Sequence, residues 1–331
     1  MTELKAMQTA VNVATVWTSP DSPRPLDEPA LRAPADAAGW TRAMTLEEKL
    51  DLYAGSRVQT QLLYGTPVLV SEERDGWAKV LIPEQSTGKE PRGYPGWVPI
   101  RQLAVPLPES DGPWAVVCSP RTVLSFAATG ECLELSFLTK LPVTGETGSR
   151  VRVDTPHGAA SLPRADVRIV SAAQPQGGDP ASSTRPAGGE LVRQGLRFAG
   201  LPYLWGGLSS YGYDCSGFTH SMHRALGLLI PRDASDQALD GDPVPPGEEL
   251  PGDLLFFACE QGRGRVHHVG IYAGEGRMLH SPDSAGRIEL VGLAGYKLAE
   301  EDSATRPYWT RRGPADPLNR NWTPSYTIGI P

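Results

Sequence analysis

The feature that most limits how this chain can fold is its backbone punctuation: 36 glycines and 32 prolines in 331 residues. Both residues interrupt regular elements, so tight turns and short strands are favoured over long helices. Up to about residue 170 the surviving runs are β-rich. Leu62-Leu63-Tyr64-Gly65-Thr66-Pro67-Val68-Leu69-Val70 leads through Asp75-Gly76 to Trp77-Ala78-Lys79-Val80-Leu81-Ile82. That is strand, Asp-Gly turn, strand, a strong hairpin signal. Gly96-Trp97-Val98-Pro99-Ile100 supplies a third run after a loop. One helix is predicted over 45–53, where Thr45 and Glu48 have capping-box spacing and Leu46, Leu50 and Tyr53 form an apolar stripe. A second β-rich unit runs over about 114–170, with Leu133 to Leu138 alternating and Val167-Arg168-Ile169-Val170 closing it.

Single cores stop growing near roughly 250–300 residues, so a chain of this length divides into domains. The expected divisions are a β-module with a helical insert over 1–105, a second over 106–172, a linker over 173–189, and an α+β domain over 190–331. The stretch 172–189 is poor in apolar residues, which suits an exposed linker. Beyond it a helix is expected over 190–199, with Leu191, Leu196 and Phe198 facing the core. A small-residue loop over 206–214 leads into a second helix over 215–226. Leu254 to Phe257, Val269 to Tyr272 and Arg277 to His280 are expected to form an antiparallel meander.

With a net charge of -7 and no run of Lys or Arg, no nucleic-acid partner is expected. Nor is a membrane span, since no stretch of about 18 apolar residues exists. The N-terminus lacks the basic and apolar regions of a secretory signal, which points to the cytoplasm and to reduced thiols. No CxxC pair occurs, so no structural metal is expected, and no cofactor. Cys118, Cys132 and Cys259 are read as core residues, the last on a strand. His220 and His223 lie one helical turn apart without the rest of a zinc-protease motif, and are read as a helix face. No oligomeric state is specified.

The informative stretch is Tyr213-Asp214-Cys215-Ser216-Gly217-Phe218, where a loop of small residues delivers a cysteine to a helix start. Unpaired N–H groups and the positive end of the helix dipole favour a thiolate there. The same N–H groups can form an oxyanion hole, at about 2.7–4 kcal/mol per donor. A thiol nucleophile needs a base, and the base an orienting group. His267-His268 opens an apolar strand, and alternation allows one of the two to face the site. Taking Val269 and Ile271 as one face puts His267 with them and His268 with Gly270 and Tyr272; periodicity leaves both open. His280, ending the next strand, is positioned to bind the base's other nitrogen.

At these residues the chain resembles the NlpC/P60 family of papain-like cysteine peptidases. The matching pieces come in the family order: Gly200-Leu201-Pro202-Tyr203-Leu204-Trp205-Gly206-Gly207, Tyr213-Asp214-Cys215-Ser216-Gly217-Phe218, Pro231-Arg232-Asp233, Pro251-Gly252-Asp253-Leu254-Leu255-Phe256-Phe257, and His268-Val269-Gly270-Ile271-Tyr272 with Met278-Leu279-His280. The β-rich half resembles two bacterial SH3-type (SH3b) modules, the first on Tyr64-Gly65, Asp75-Gly76-Trp77-Ala78-Lys79-Val80 and Gly96-Trp97-Val98. The implied fold class is α+β: a papain-like catalytic domain preceded by two small SH3-like barrels. Two such modules before this domain resemble the YkfC-like γ-D-glutamyl-L-diamino acid endopeptidases. Their substrates are murein tri- and tetrapeptides with a free N-terminal L-Ala.

The resemblance implies Cys215 as nucleophile, His268 as base, His280 as orienting residue and Tyr203 beside the oxyanion. It further implies Asp233 as the partner of the substrate amine, Trp205, Asp214 and Ser216 as pocket residues, and Tyr94 as the first-module residue closing the pocket. Ala234 stands where the family often has a serine. An acidic contribution from the first module is expected, with Glu72 and Glu73 as the nearby acids. The rival readings are a hydrolase of intact peptidoglycan using the SH3b modules as wall anchors, and a non-catalytic binder of wall peptides.

Overall fold

The structure, a computed structural model, describes residues 4–108, 110–171, 188–262, 264–296 and 308–312. The first module contains β1 (Lys5–Thr9), β2 (Val13–Trp17), β3 (Val58–Leu63), β4 (Pro67–Arg74), β5 (Trp77–Ile82), β6 (Tyr94–Pro99) and β7 (Leu103–Ala104). They hydrogen-bond in the order β3-β2-β6-β5-β4-β1-β7. The second contains β8 (Trp114–Val117), β9 (Arg121–Phe126), β10 (Cys132–Ser136), β11 (Lys140–Thr147), β12 (Arg150–Val153), β13 (Ala160–Pro163) and β14 (Val167–Val170), ordered β10-β9-β13-β12-β11-β8-β14. Counted from each module's own first strand the two orders are identical. A 3-10 turn precedes the last strand in both, Ile100–Gln102 in one and Arg164–Asp166 in the other. The α+β class and the two SH3-type modules expected from the sequence are the observed architecture.

The Asp75-Gly76 turn joins β4 to β5 with both residues at positive φ (49° and 80°), as a type I′ hairpin requires. The run 62–70 is not one strand. Gly65 at φ 77° turns the chain between β3, which pairs with β2, and β4, which pairs with β1 and β5. Between β2 and β3 lie α1 (Glu28–Leu31), α2 (Ala37–Ala43) and α3 (Leu46–Ala54). Thr45 and Glu48 form the expected capping box on α3. Its apolar stripe is not the expected one: Leu46 and Tyr53 are exposed, and the buried residue is Leu52, packed with Trp17, Trp40, Met44, Val58 and Leu204. Tyr53 instead stacks on Trp205, so α3 meets two different partners rather than one core.

The third domain comprises α4 (Gly188–Leu196), β15 (Leu208–Ser209), β16 (Gly212–Tyr213), α5 (Cys215–Ala225), α6 (Ala234–Gln237), β17 (Asp242–Val244), β18 (Leu254–Ala258), α7 (Cys259–Gly262), β19 (Val266–Gly274), β20 (Arg277–His280), β21 (Glu289–Gly292) and β22 (Tyr308–Arg312). Its main sheet runs β17-β22-β18-β19-β20-β21 and includes the expected meander. Helix α5 packs Phe218 and Met222 onto Val269, Ile271 and Leu279 of that sheet. On α4 the buried residues are Leu191, Val192 and Gly195, with Phe198 following, a helical face that leaves Leu196 exposed. The predicted linker lies outside the described residues except for Gly188 and Gly189, which open α4.

The three spare cysteines are not core residues. Cys132 is exposed on the edge strand β10, Cys259 is exposed where β18 turns into α7, and Cys118 is partly exposed. No described helix is long and apolar enough to cross a membrane.

Candidate active site

Cys215 is the first residue of α5, and Asp214 is its N-cap, accepting the Gly217 amide at 2.6 Å. Gly217 permits close approach of the preceding loop: a Cβ there would lie 2.1 Å from the Gly207 carbonyl oxygen. The thiol is 8% exposed and sits against the backbone N–H groups of Ser216 and Val269. Val269 follows His268 on β19. Between Phe257 and Ala258 of β18 the register slips by one residue, because β19 carries a bulge at His267. That bulge exposes His267 and leaves His268 buried.

The His268 Nε2 lies 2.8 Å from Nδ1 of His280, with the two rings edge to face. This leaves His268 Nδ1 as the ring nitrogen available to the sulfur. Gly270 makes room for the pair, since a Cβ there would stand 3.1 Å from that of His280 and 2.5 Å from the Met278 sulfur. His280 is fully buried on β20.

Burial pushes the Cys215 thiol up to about 12, and the adjacent Asp214 carboxylate adds to the effect. The Val269 and Ser216 amides and the Arg232 guanidinium pull the other way and do not prevail. Burial likewise holds His268 well below its ordinary value and lowers His280 to about 4. Burial therefore favours the neutral forms of the thiol and of both imidazoles. Burial thus works against the standing thiolate expected at a helix start, and the helix-end field works for it. The arrangement can still generate a thiolate, by passing the thiol proton to His268 as a substrate carbonyl is attacked.

Behind the sulfur lies a buried ion pair. Arg232, 1% exposed, donates to Asp214 at 3.1 Å and 2.9 Å, to Ser216 Oγ at 2.9 Å and to Thr60 Oγ1 of the first module at 3.0 Å. Asp214 also accepts the Gly206 amide at 2.9 Å. Asp214 and Ser216, expected to line the pocket, thus have their polar atoms engaged by Arg232 and the backbone, and they support the loop that carries Cys215. Arg232 is the site residue that sequence reasoning passed over. The available signal was charge: the neighbouring carboxylates Asp214 and Asp233 require a cation, and Arg232 is the basic residue within the matching motifs.

Tyr203 is buried near the sulfur. Burial first, then the charges of Cys215, Asp214 and Asp283, raise its phenol well above the ordinary value, which keeps it an O–H donor. Trp205 donates to the Val58 carbonyl at 3.0 Å and stacks on Tyr53, so it lies on the seam with the first module.

Asp233 forms a second cluster on the same seam. Its carboxylate accepts the Tyr94 hydroxyl at 2.8 Å and 2.9 Å and binds Lys89 Nζ at 3.0 Å. Tyr94 is 2% exposed and Asp233 keeps 24% of its side chain exposed. Neither glutamate considered for the first module is found on this carboxylate. Glu73 binds Lys5, and Glu72 lies in register with Lys79 on the β4–β5 hairpin. His220 and His223 each place Nδ1 2.8 Å from a backbone carbonyl, of Ile230 and Thr219. Among the described residues no cluster of three or more His, Cys, Asp or Glu side chains could hold a metal ion.

Residues 200–313 match the NlpC/P60 family, 117–169 the YKFC SH3b2 domain and 52–103 the bacterial dipeptidyl-peptidase Sh3 domain. The chain is 40% identical over 302 residues to the gamma-D-glutamyl-L-lysine dipeptidyl-peptidase of Bacillus subtilis, covering 91% of this chain and 98% of that one. It is 38% identical over 303 residues to the enzyme of the same name from Bacillus cereus, covering 90% and 89%. The crystal structure of an NlpC/P60 family protein from Bacillus cereus superposes with a TM-score of 0.83 at 36% identity, over 93% of this chain and 99% of that chain. A loop-to-helix cysteine beside a histidine pair, behind two SH3b modules and matched along nearly the whole length of such relatives, identifies the chain as a cysteine peptidase of the NlpC/P60 family.

Proposed function

We propose that this peptidase cleaves the γ-D-glutamyl–L-diamino acid bond of murein-derived peptides whose N-terminal L-Ala is free. The observation that carries the reading is Asp233: a partly open carboxylate, fixed by Tyr94, at the seam between the first module and the catalytic domain. A substrate ammonium on this carboxylate makes a charge-assisted hydrogen bond worth about 1.5–3 kcal/mol. A chain continuing beyond that amine forfeits it. The two gamma-D-glutamyl-L-lysine dipeptidyl-peptidases that match over most of the length support the same bond specificity.

In this reading Cys215 Sγ attacks the γ-carbonyl while its proton passes to His268 Nδ1, and His280 holds the His268 ring. The backbone N–H groups at the start of α5 and the Tyr203 hydroxyl face the oxyanion. His268 then protonates the departing amine of the diamino acid. Water, deprotonated by the same imidazole, releases L-Ala-γ-D-Glu from the sulfur. In this reading the peptidase meets its free wall peptides in the cytoplasm. Its test is cleavage of L-Ala-γ-D-Glu-L-Lys by the purified protein, followed by release of lysine. Turnover is expected to vanish in Cys215→Ala and on N-acetylation of the tripeptide. Cleavage of purified sacculi in preference to the tripeptide would favour the wall-hydrolase reading instead.

A further inference from the structure

Asp233 is paired with a cation from the protein itself. Lys89 Nζ lies 3.0 Å from Asp233 Oδ2 and 3.2 Å from Gln59 Oε1, contacts the Tyr94 hydroxyl, and stands 4.3 Å from the centre of the Tyr94 ring. An ammonium among a carboxylate, two neutral oxygens and an aromatic face is the environment required by the terminal amine of a peptide. We propose that Lys89 is a specificity-determining residue, a tethered stand-in for the substrate's terminal ammonium that has to swing off Asp233 before a peptide can bind. This rests on the assignment of Asp233 to the substrate amine made above.

Charge dictates exchange rather than joint occupancy. Among the described groups bonded to Lys89 Nζ, Asp233 supplies the carboxylate, and Gln59 and Tyr94 are neutral. With Lys89 in place the Asp233 charge is already paired, and a second ammonium there would be repelled by the first. The loop is anchored so that the side chain can leave alone. The Ser86 carbonyl accepts the Arg232 amide at 3.0 Å. Asp236 of α6 accepts the Gly88 amide at 2.8 Å and the Thr87 hydroxyl at 3.2 Å, and Thr87 Oγ1 in turn accepts the Lys89 amide at 3.2 Å. The backbone leading up to Lys89 is thereby tied to the catalytic domain. The Lys89 side chain is 46% exposed, which gives its four-carbon stem a way out to solvent.

A tethered competitor acts at a millimolar or higher effective concentration, so removing it lowers KM roughly 3- to 30-fold for a free-amine peptide, with the gain read in KM rather than kcat. The experiment compares wild type, Lys89→Met and Lys89→Arg. Two readouts are used: KM for L-Ala-γ-D-Glu-L-Lys, and calorimetric binding of L-alaninamide, which carries the ammonium but no scissile bond. Lys89→Met is expected to show the lower KM and the tighter alaninamide binding, and Lys89→Arg to stay near wild type. Equal or weaker alaninamide binding in Lys89→Met overturns the proposal, whatever the peptide kinetics. Failure of the wild type to cleave the tripeptide sinks the substrate assignment instead, and leaves the alaninamide comparison to decide the role of Lys89.

Discussion

At the scale of single residues, the buried thiol works only if its proton has a defined destination. His268 can accept it at Nδ1 when the neutral ring carries its own proton on Nε2, donating to His280 Nδ1. His280 must then carry its proton on Nε2, an atom that is buried without a hydrogen-bond partner. The Glu289 carboxylate stands 3.8 Å from it across β20 and β21. Its charge favours this tautomer and steadies the pair once an imidazolium forms. Glu289→Gln is therefore expected to lower kcat/KM for the tripeptide by about tenfold, a loss in the range found for outer partners of site histidines. Unchanged kinetics would remove Glu289 from the array.

His220 offers a test of stability that is separate from the site. Burial lowers its imidazole from 6.5 to about 3, so the unfolded chain binds a proton that the folded chain refuses. Stability is then complete above about pH 6.5 and declines as pH falls towards 3, at up to roughly 1.4 kcal/mol per pH unit. Urea midpoints between pH 7 and pH 4.5 should drop less steeply in His220→Gln than in wild type.

At the scale of elements, the loop over 206–214 and helix α5 act as one unit, because Asp214 caps the helix and Arg232 holds Asp214. Arg232→Met leaves that carboxylate buried and unpaired, a change that typically costs about 3–5 kcal/mol. Denaturation should show a loss of that order, with Arg232→Lys recovering little of it because a lysine lacks the two-pronged geometry. Much of this unit was legible in the sequence: the small-residue loop, the cysteine at a helix start, the apolar alternation of the following strands and the capping box on α3. What escaped the sequence depends on partners far away in the chain. Leu196 and the stripe expected on α3 fall outside the core because the faces of α4 and α3 are chosen by contacts with Phe218, Leu279 and Trp205. The choice between His267 and His268 depends on a bulge that alternation cannot express. Cys259 follows β18 directly, and nothing in its neighbourhood signals that the strand ends at Ala258.

At the scale of the whole molecule, the SH3-type modules are walls of the catalytic domain rather than tethered anchors. Leu204 is buried in the core of the helical insert, Trp205 is bonded to Val58, and Gln61 of β3 accepts from Leu208 and Ser209. Val13 and Leu63 of the first module and Phe137 and Leu138 of the second lie in the same apolar cluster as Cys215, Phe218 and Leu279. The second module is further joined through Ser136 to Ser210 and through Glu134 to Tyr211. Surfaces shared in this way cannot be exposed one domain at a time without opening the core behind the sulfur. Four of the eight tryptophans, Trp17, Trp40, Trp77 and Trp97, belong to the first module, so unfolding of that end of the chain changes tryptophan emission. Peptidase activity requires the catalytic domain. The two signals should be lost together along a urea titration, with coincident midpoints, as one cooperative unit requires. If the tryptophan transition came first while tripeptide cleavage persisted, the first module would be dispensable, and neither Tyr94 nor Lys89 could govern the substrate amine.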